Sequence, residues 1–334
     1  MLTVAVTGGA GRLGALITTE LATRRWEVRV LDREPPYART TLAASDVAPA
    51  EFWRVDVEQA DQVRKAVRGC DAVVHLAGLH GAHLAAGAPR DAIWRANVRG
   101  TATVVDACVR EGVRRVVLAS STSVYGPGTP PGEHARVLDE DTDVAPDDVY
   151  DLSKLVAERI VLGARRAGGI EAVALRLGRF FFGTVENYHL RKLSTGLDVH
   201  DAAQAVYLAL VAGMLPSKVY CVASDLPLAR AERRALGLDA PAVVASYAPH
   251  VAEELRHRGW RLPNRVGKSV DSTRIRRELG YVPVRHLAWW ASRLRRARTS
   301  TRDHERDALR HAPGHVLSES VPPAERSRDL SGMR

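Results

Sequence analysis

Tyr150 and Lys154 stand four residues apart in YDLSK (150–154), at the head of a stretch, LVAERIVLGARR, whose apolar spacing is helical. Residues at i and i+4 share a helix face, so the phenol and the ammonium point the same way. Such a pair suits general acid/base work. Free tyrosine has a pKa near 10, and bringing it to ~7 takes about three units, roughly 4 kcal/mol, for which a neighbouring positive charge has the right sign. Upstream, an apolar run ends in the hydroxyl-rich SSTSVYG (120–126), with Ser121 at its second position. A different chemistry is written at the start of the chain, in TGGAGRLG (7–14). Gly9, Gly11 and Gly14 have the GxGxxG spacing that lets a backbone approach a pyrophosphate and aim a helix N-terminus at it. Asp32 follows Gly14 by 18 residues, near the distance at which a carboxylate holds a ribose 2′-hydroxyl and repels a 2′-phosphate. That favours NAD over NADP, although Arg33 is adjacent.

These groups need a scaffold, and the first half of the chain supplies its pattern. Strands are predicted at 2–7, 27–32, within 51–57, and at 71–78, 113–121 and 171–177, with helices at 13–24, 58–68 and 92–111 between them. Strand-helix alternation with runs apolar on both faces means a parallel sheet covered by helices. The fold class is therefore α/β, a Rossmann-type doubly wound parallel sheet with a smaller C-terminal substrate-binding region. Ligands of such sheets sit at the carboxyl ends of the strands, which puts Ser121 and its neighbours over the cofactor. The predicted division is 1–177 for the NAD-binding unit, 178–295 for the substrate region with strand 218–224 returning to the sheet and helices at 229–236 and 251–258, and 296–334 as a disordered tail.

Composition narrows the function. Apolar residues make up 46% and charged residues 26% of 334, an ordinary globular balance. The net charge of +9 comes from 48 basic residues of which only five are lysine; they are scattered, with no stripe or aromatic interleaving to mark a nucleic-acid surface. No apolar run reaches the ~20 residues of a membrane span. The opening MLTVAVTGG reads as strand and turn rather than a secretory leader, and Cys70, Cys108 and Cys221 are too few and too far apart for a disulfide framework or a zinc site, so a reducing, cytoplasmic setting without metal is expected.

Taken in order, TGGAGRLG, Asp32, Asp56-Val57, HLAG (75–78), NVRGT (97–101), SSTSVYG and YDLSK resemble the extended short-chain dehydrogenase/reductases, the NAD-dependent epimerase/dehydratase group. LRLG (175–178), DVHDAAQAV (198–206) and TRIRRELGYVP (273–283) resemble its later landmarks, so the likeness covers about 1–295. The resemblance implies an NAD site formed by Gly8, Gly11, Arg12, Leu13, Gly14, Asp32, Asp56, Val57, Leu76, Ala77, Gly78, Tyr150 and Lys154. It implies Tyr150 as general acid/base, Lys154 lowering its pKa and holding the nicotinamide ribose, Ser121 bonding the substrate oxygen, and Asn97 supporting a water or a helix kink. Residue by residue, Asp56 could instead merely cap the next helix, His75 reads as a core histidine, and His80 and His83 fall in a loop that faces the nicotinamide.

Two departures bear on the substrate. Family members that dehydrate nucleotide sugars carry Asp-Glu after the active hydroxyl, where this chain has Thr122 and Ser123, so elimination of water is not expected. Only twenty residues separate Gly178 from Asp198, too few for the long nucleotide grip of nucleotide-sugar epimerases. That stretch, RKLSTGLDVHD (191–201), resembles the uronate-dehydrogenase segment, in which the arginine binds a carboxylate; Arg191 matches it, while Arg179 and Gly196 depart from the pattern. His80, Thr122, Arg179 and Arg191 are thus the candidate substrate residues, with Lys192 pointing away. The expected activity is NAD-dependent hydride transfer at a secondary alcohol or ketone of a sugar-like, anionic substrate. The alternatives are a sugar or nucleotide-sugar epimerase with retained NAD and, less favoured, a silent NAD-binding protein. A homodimer is compatible with the sequence.

Overall fold

A computed structural model describes residues 2–35, 50–167, 170–180, 184–224 and 228–299. Its strands are β1 (Thr3–Thr7), β2 (Glu27–Asp32), β3 (Glu51–Arg54), β4 (Ala72–His75), β5 (Arg115–Ser121), β6 (Arg136–Leu138), β7 (Glu171–Leu177), β8 (Val219–Val222) and β9 (Lys268–Val270). Seven of them form one sheet in the order β3-β2-β1-β4-β5-β7-β8, and every neighbouring pair is parallel. The order reverses between β1 and β4, and that switch point opens a crevice at the carboxyl ends of the strands.

The apolar alternation explains why the sheet is covered on both sides. Val4, Val6, Val74, Val117, Val173 and Leu175 face helices Arg12–Thr23 and Val199–Val211, while Ala5, Val73, Val116, Leu118, Ala172 and Ala174 face helices Ala60–Val67, Gly100–Arg110 and Val149–Arg166. Helix Val199–Val211 covers the sheet with Ala202, Ala205 and Ala209, small residues that let it sit close.

A third core lies beside the crevice, built from Leu228, Leu236, Val244, Val251, Leu255, Val266 and Leu287 with Ala135 reaching in from the first half of the chain. The parallel pair β6–β9 borders it, with Val137 opposite Ser269. The segment before Tyr150 and the segment after residue 260 are therefore stitched together over the strand ends. Helix Leu287–Thr299 closes the described chain, so residues 296–299 are helical rather than part of a tail; residues 300–334 lie outside the described residues.

Candidate active site

The glycine turn is shaped by close approach. Gly8 has φ +68°, and a Cβ there would come within 2.7 Å of the Ala77 nitrogen. A Cβ on Gly14 would come within 2.5 Å of the Gly8 carbonyl oxygen, so helix Arg12–Thr23 can start directly against the turn. That helix begins after Gly11 with no side-chain cap and no acidic residue in its first turn, which leaves its positive end for an external anion. Leu76 and Ala77 leave β4 with their N–H groups on the Thr7 carbonyl and hydroxyl, at 3.1 and 3.2 Å. Asp32, at the tip of β2, accepts the N–H groups of Ala10 (3.1 Å) and Arg33 (2.8 Å), which fixes a carboxylate on the rim of the turn. Asp56 accepts the Glu58 N–H at 2.9 Å and so does cap the following segment, and Val57 packs on the core beneath it. A turn cleared of side chains at its glycines, an uncapped helix start and a rim carboxylate fit a dinucleotide.

Across the crevice, Asp148 caps helix Val149–Arg166 by accepting the Asp151 N–H at 2.8 Å. Tyr150 is the second residue of the helix, and the Ser121 side chain at the end of β5 is near enough to its hydroxyl to bear on its titration. Ser121 Oγ also accepts the Ser123 N–H at 3.1 Å, which holds its rotamer. Burial pushes the Tyr150 hydroxyl above its usual value, and the Ser121 hydroxyl and the charge of Arg179 pull the other way. Lys154, one helical turn on, is 9% exposed, and burial lowers its ammonium to about 8 against the raising influence of Glu158. Glu158 itself is engaged by Arg176 through two bonds of 2.9–3.0 Å and by Ser120, so it braces the helix rather than pairing with Lys154.

Asn97 sits in a single π-helical turn, Arg95–Arg99, that interrupts what the sequence reads as one helix. Such bulges frequently mark functional positions. Its amide accepts the Leu79 N–H and donates to the Leu79 carbonyl and to Ser153 Oγ, all at 2.8 Å, and Ser153 Oγ donates to the Tyr150 carbonyl at 2.7 Å. Asn97 therefore latches the loop after β4 to the helix of Tyr150, a kink-and-latch role rather than a direct one. Gly78 lets the Asn97 carbonyl approach, since a Cβ there would come within 2.5 Å of it.

His75 is a core histidine, bonded to Thr7 and Thr101 at 2.7 and 3.0 Å, with burial holding its pKa down to about 3. His80 caps the short turn Gly81–Ala85 through the Ala82 N–H, and its ring lies 3.9 Å from that of His83. Burial, then the charges of His83, Arg179 and Lys154, lower it to about 4, so it is neutral at neutral pH and lines the crevice as a polar group. Thr122, 4% exposed, starts the 3-10 turn Thr122–Tyr125 beneath Ser121.

Arg179 leaves β7 through an isolated bridge to Gly196, its N–H on the Thr195 carbonyl at 2.6 Å. Gly196 N–H in turn reaches the Arg191 carbonyl at 2.8 Å, so the two arginines belong to one strapped segment. Both are exposed, and among the described residues neither has a carboxylate partner; Glu186 accepts the Arg261 N–H instead. Lys192 turns inward as expected: its side chain is fully buried, 3.6 Å from Asp198 and bonded to the Arg285 carbonyl. Two groups near the site are absent from the sequence reading. Asp151 follows Tyr150 and burial holds its carboxyl above the usual range, with the nearby Ser123 hydroxyl pulling the other way, and Lys268 is half-buried on β9. Lys268 carried only a weak signal, as one of five lysines in an arginine-rich chain.

The sequence pattern of the NAD dependent epimerase/dehydratase family matches residues 4–195. The chain belongs to that family, whose cofactor is NAD, and its fold is a Rossmann-type fold shared with NAD-bound structures. A UDP-glucose 4-epimerase of Streptomyces lividans is 32% identical over 173 residues, 51% of this chain and 50% of that one. The chain spans about half the length of the curated relatives it matches. Among solved structures, a mutated uronate dehydrogenase superposes with a TM-score of 0.61 at 25% identity, covering 88% of this chain and 86% of that one. MoeE5 in complex with UDP-glucuronic acid and NAD superposes with a TM-score of 0.64 at 23% identity over 90% of this chain and all of that one, a likeness of fold. Among the described residues no helix is long and apolar enough to cross a membrane, and no group of His, Cys, Asp and Glu could hold a metal ion.

Proposed function

We propose that the chain is an NAD-dependent dehydrogenase of a small sugar-like acid. The observation that carries this reading is the position of Arg179, whose charge bears on both Tyr150 and His80 and which has no carboxylate partner among the described residues. An exposed guanidinium whose charge reaches an acid/base tyrosine suits a substrate that carries an anionic group near its reacting carbon. In this reading residues 1–177 carry NAD and the catalytic groups, and residues 178–295 close over the substrate.

The turn 8–14 and the start of helix Arg12–Thr23 hold the pyrophosphate, and Asp32 holds the adenosine ribose. NAD supplies the hydride acceptor when bound. Ser121 and Tyr150, neighbours across the strand end, form a two-point cradle for the substrate hydroxyl. Ser121 fixes its oxygen, and Tyr150 takes the proton as the carbinol carbon is oxidised. Burial opposes the phenolate this requires. The charge of Arg179 favours it, and Lys154, one turn along the same helix, adds a charge of the same sign. Arg179 and Arg191 orient the acid group.

The test is a panel of uronic acids, sugar phosphates and neutral sugars with NAD, followed by NADH appearance. Turnover confined to the acids supports the reading, and turnover of neutral sugars alone refutes it. An epimerase with retained NAD is the second reading, favoured by the identity to the UDP-glucose 4-epimerase. Whether NAD stays with the protein through gel filtration separates the two: retained cofactor marks the epimerase, an empty site the dehydrogenase.

A further inference from the structure

The cations of the substrate side do not stop at two. Lys268 opens β9, and the Ser194 hydroxyl donates to its carbonyl at 2.7 Å while the Val270 N–H donates to the Ser194 carbonyl at 3.3 Å. Ser194 belongs to the segment that starts at Arg191, since its N–H lies on the Arg191 carbonyl at 2.9 Å, and the same segment is bridged to Arg179 through Gly196. Backbone bonds thus tie β7, the 191–196 segment and β9 side by side, and each contributes one cation.

The ammonium of Lys268 lies on the catalytic side of β9. It donates to the carbonyl of Gly126, the residue that ends the turn after Ser121. The charges that reach it are Asp151 on one side and Arg136, Arg191 and Arg179 on the other. Arg136 spends its guanidinium on the carbonyls of Tyr125 and Pro127, both at 3.0 Å. Asp151 is the one carboxylate among these groups, and burial keeps its proton affinity high. With Lys268 itself that makes four cations against one weakened carboxylate, an excess no single carboxylate ligand neutralises; Arg136 is held by its two carbonyls, which leaves Lys268, Arg179 and Arg191 to meet a ligand.

We propose that Lys268 completes a three-cation subsite with Arg179 and Arg191, built for a substrate group carrying two negative charges, a phosphate monoester, rather than a lone carboxylate. This rests on the dehydrogenase reading and sharpens its substrate class. Two guanidiniums offer planar forks to phosphate oxygens, and a lysine adds a point charge with rotatable donors, a division of labour suited to a tetrahedral dianion.

Inorganic phosphate is the probe, titrated calorimetrically into the full chain with NAD saturating so that the pyrophosphate cradle is filled. Acetate serves as the monoanion control. Wild type should bind phosphate at least tenfold more tightly than acetate. Lys268→Met should weaken phosphate by tenfold or more, about 1.4 kcal/mol, with acetate changed less than threefold. Lys268→Arg, which keeps the charge and a donor for Gly126, should restore at least half of the loss in free energy. Phosphate binding by Lys268→Met within twofold of wild type, or no preference for phosphate in wild type, overturns the proposal. Equal losses in Lys268→Met and Lys268→Arg also overturn it, since Lys268 would then be a strut for Gly126. The dehydrogenase reading has a separate failure: Arg179→Met and Arg191→Met that leave the KM of every acidic sugar unchanged.

Discussion

Replacing Lys154 by methionine should abolish turnover and yet make the protein more stable. The ammonium is 9% exposed, and burial lowers its pKa from 10.5 to about 8. A gap of that size corresponds to an upper bound of about 3 kcal/mol spent at neutral pH on keeping the charge inside. Methionine has a similar length and no charge to desolvate. The attraction to Glu158 is lost, but Glu158 keeps Arg176 and Ser120 as partners, so no carboxylate is orphaned. The net gain should be about 1–3 kcal/mol, or a few degrees in Tm for a chain of this size. The sign in pH follows from the folded value lying below the unfolded one. The cost is in force below pH about 8, where the folded side chain is protonated, and it fades as the pH rises toward the unfolded value. Thermal melts without added NAD at neutral pH and near pH ~10 should therefore show an advantage for Lys154→Met that shrinks at the higher pH. A variant that melts below wild type at neutral pH, or a gain independent of pH, would refute the argument that this charge is held at a cost for catalysis.

Tyr150→Phe keeps the ring against Gly81 and removes the titrating hydroxyl, so kcat should fall by roughly 10² or more while NAD affinity, read by calorimetry, is kept. NAD should bind at least tenfold more tightly than NADP, about 1.4 kcal/mol. Asp32→Asn, whose amide oxygen still accepts the Ala10 N–H, should close that gap; equal affinities in wild type would mean that Arg33 outweighs the acid. Asn97→Ala removes three hydrogen bonds of 2.8 Å and strands the Leu79 backbone, which should cost about 2–3 kcal/mol in denaturant melts; a loss below about 0.5 kcal/mol would show that the loop does not need the latch.

What could be read from the sequence is what local physics dictates. The dinucleotide turn was legible because Gly8 and Gly14 are positions where any side chain collides with backbone, and the strand-helix alternation follows from side chains that must be apolar on both faces. Tyr150 and Lys154 were legible because helical spacing alone brings them together. The kink at Asn97 was suggested only by the resemblance, since nothing in NVRGT itself distinguishes a widened turn from a regular one until Leu79 and Ser153 are seen to claim the amide. Lys268 was missed for a different reason. It meets the site only through β9 pairing with β6 and through Ser194, contacts between segments more than seventy residues apart. The pairing of β6 with β9, three residues each, is too short to show a period. The balance of forces on Tyr150 was also differently composed: Ser121 and Arg179 are the influences that oppose burial, where the sequence pointed to Lys154.

Arg179 is the cation whose charge bears on both Tyr150 and His80. Steady-state kinetics of Arg179→Met with the acidic sugar that wild type oxidises best should show KM raised tenfold or more, with thermal stability and NAD affinity unchanged. The same variant should handle any neutral sugar as wild type does. An unchanged KM for the acid, or equal losses for acidic and neutral sugars, would contradict the claim that this enzyme recognises its substrate by a negative charge.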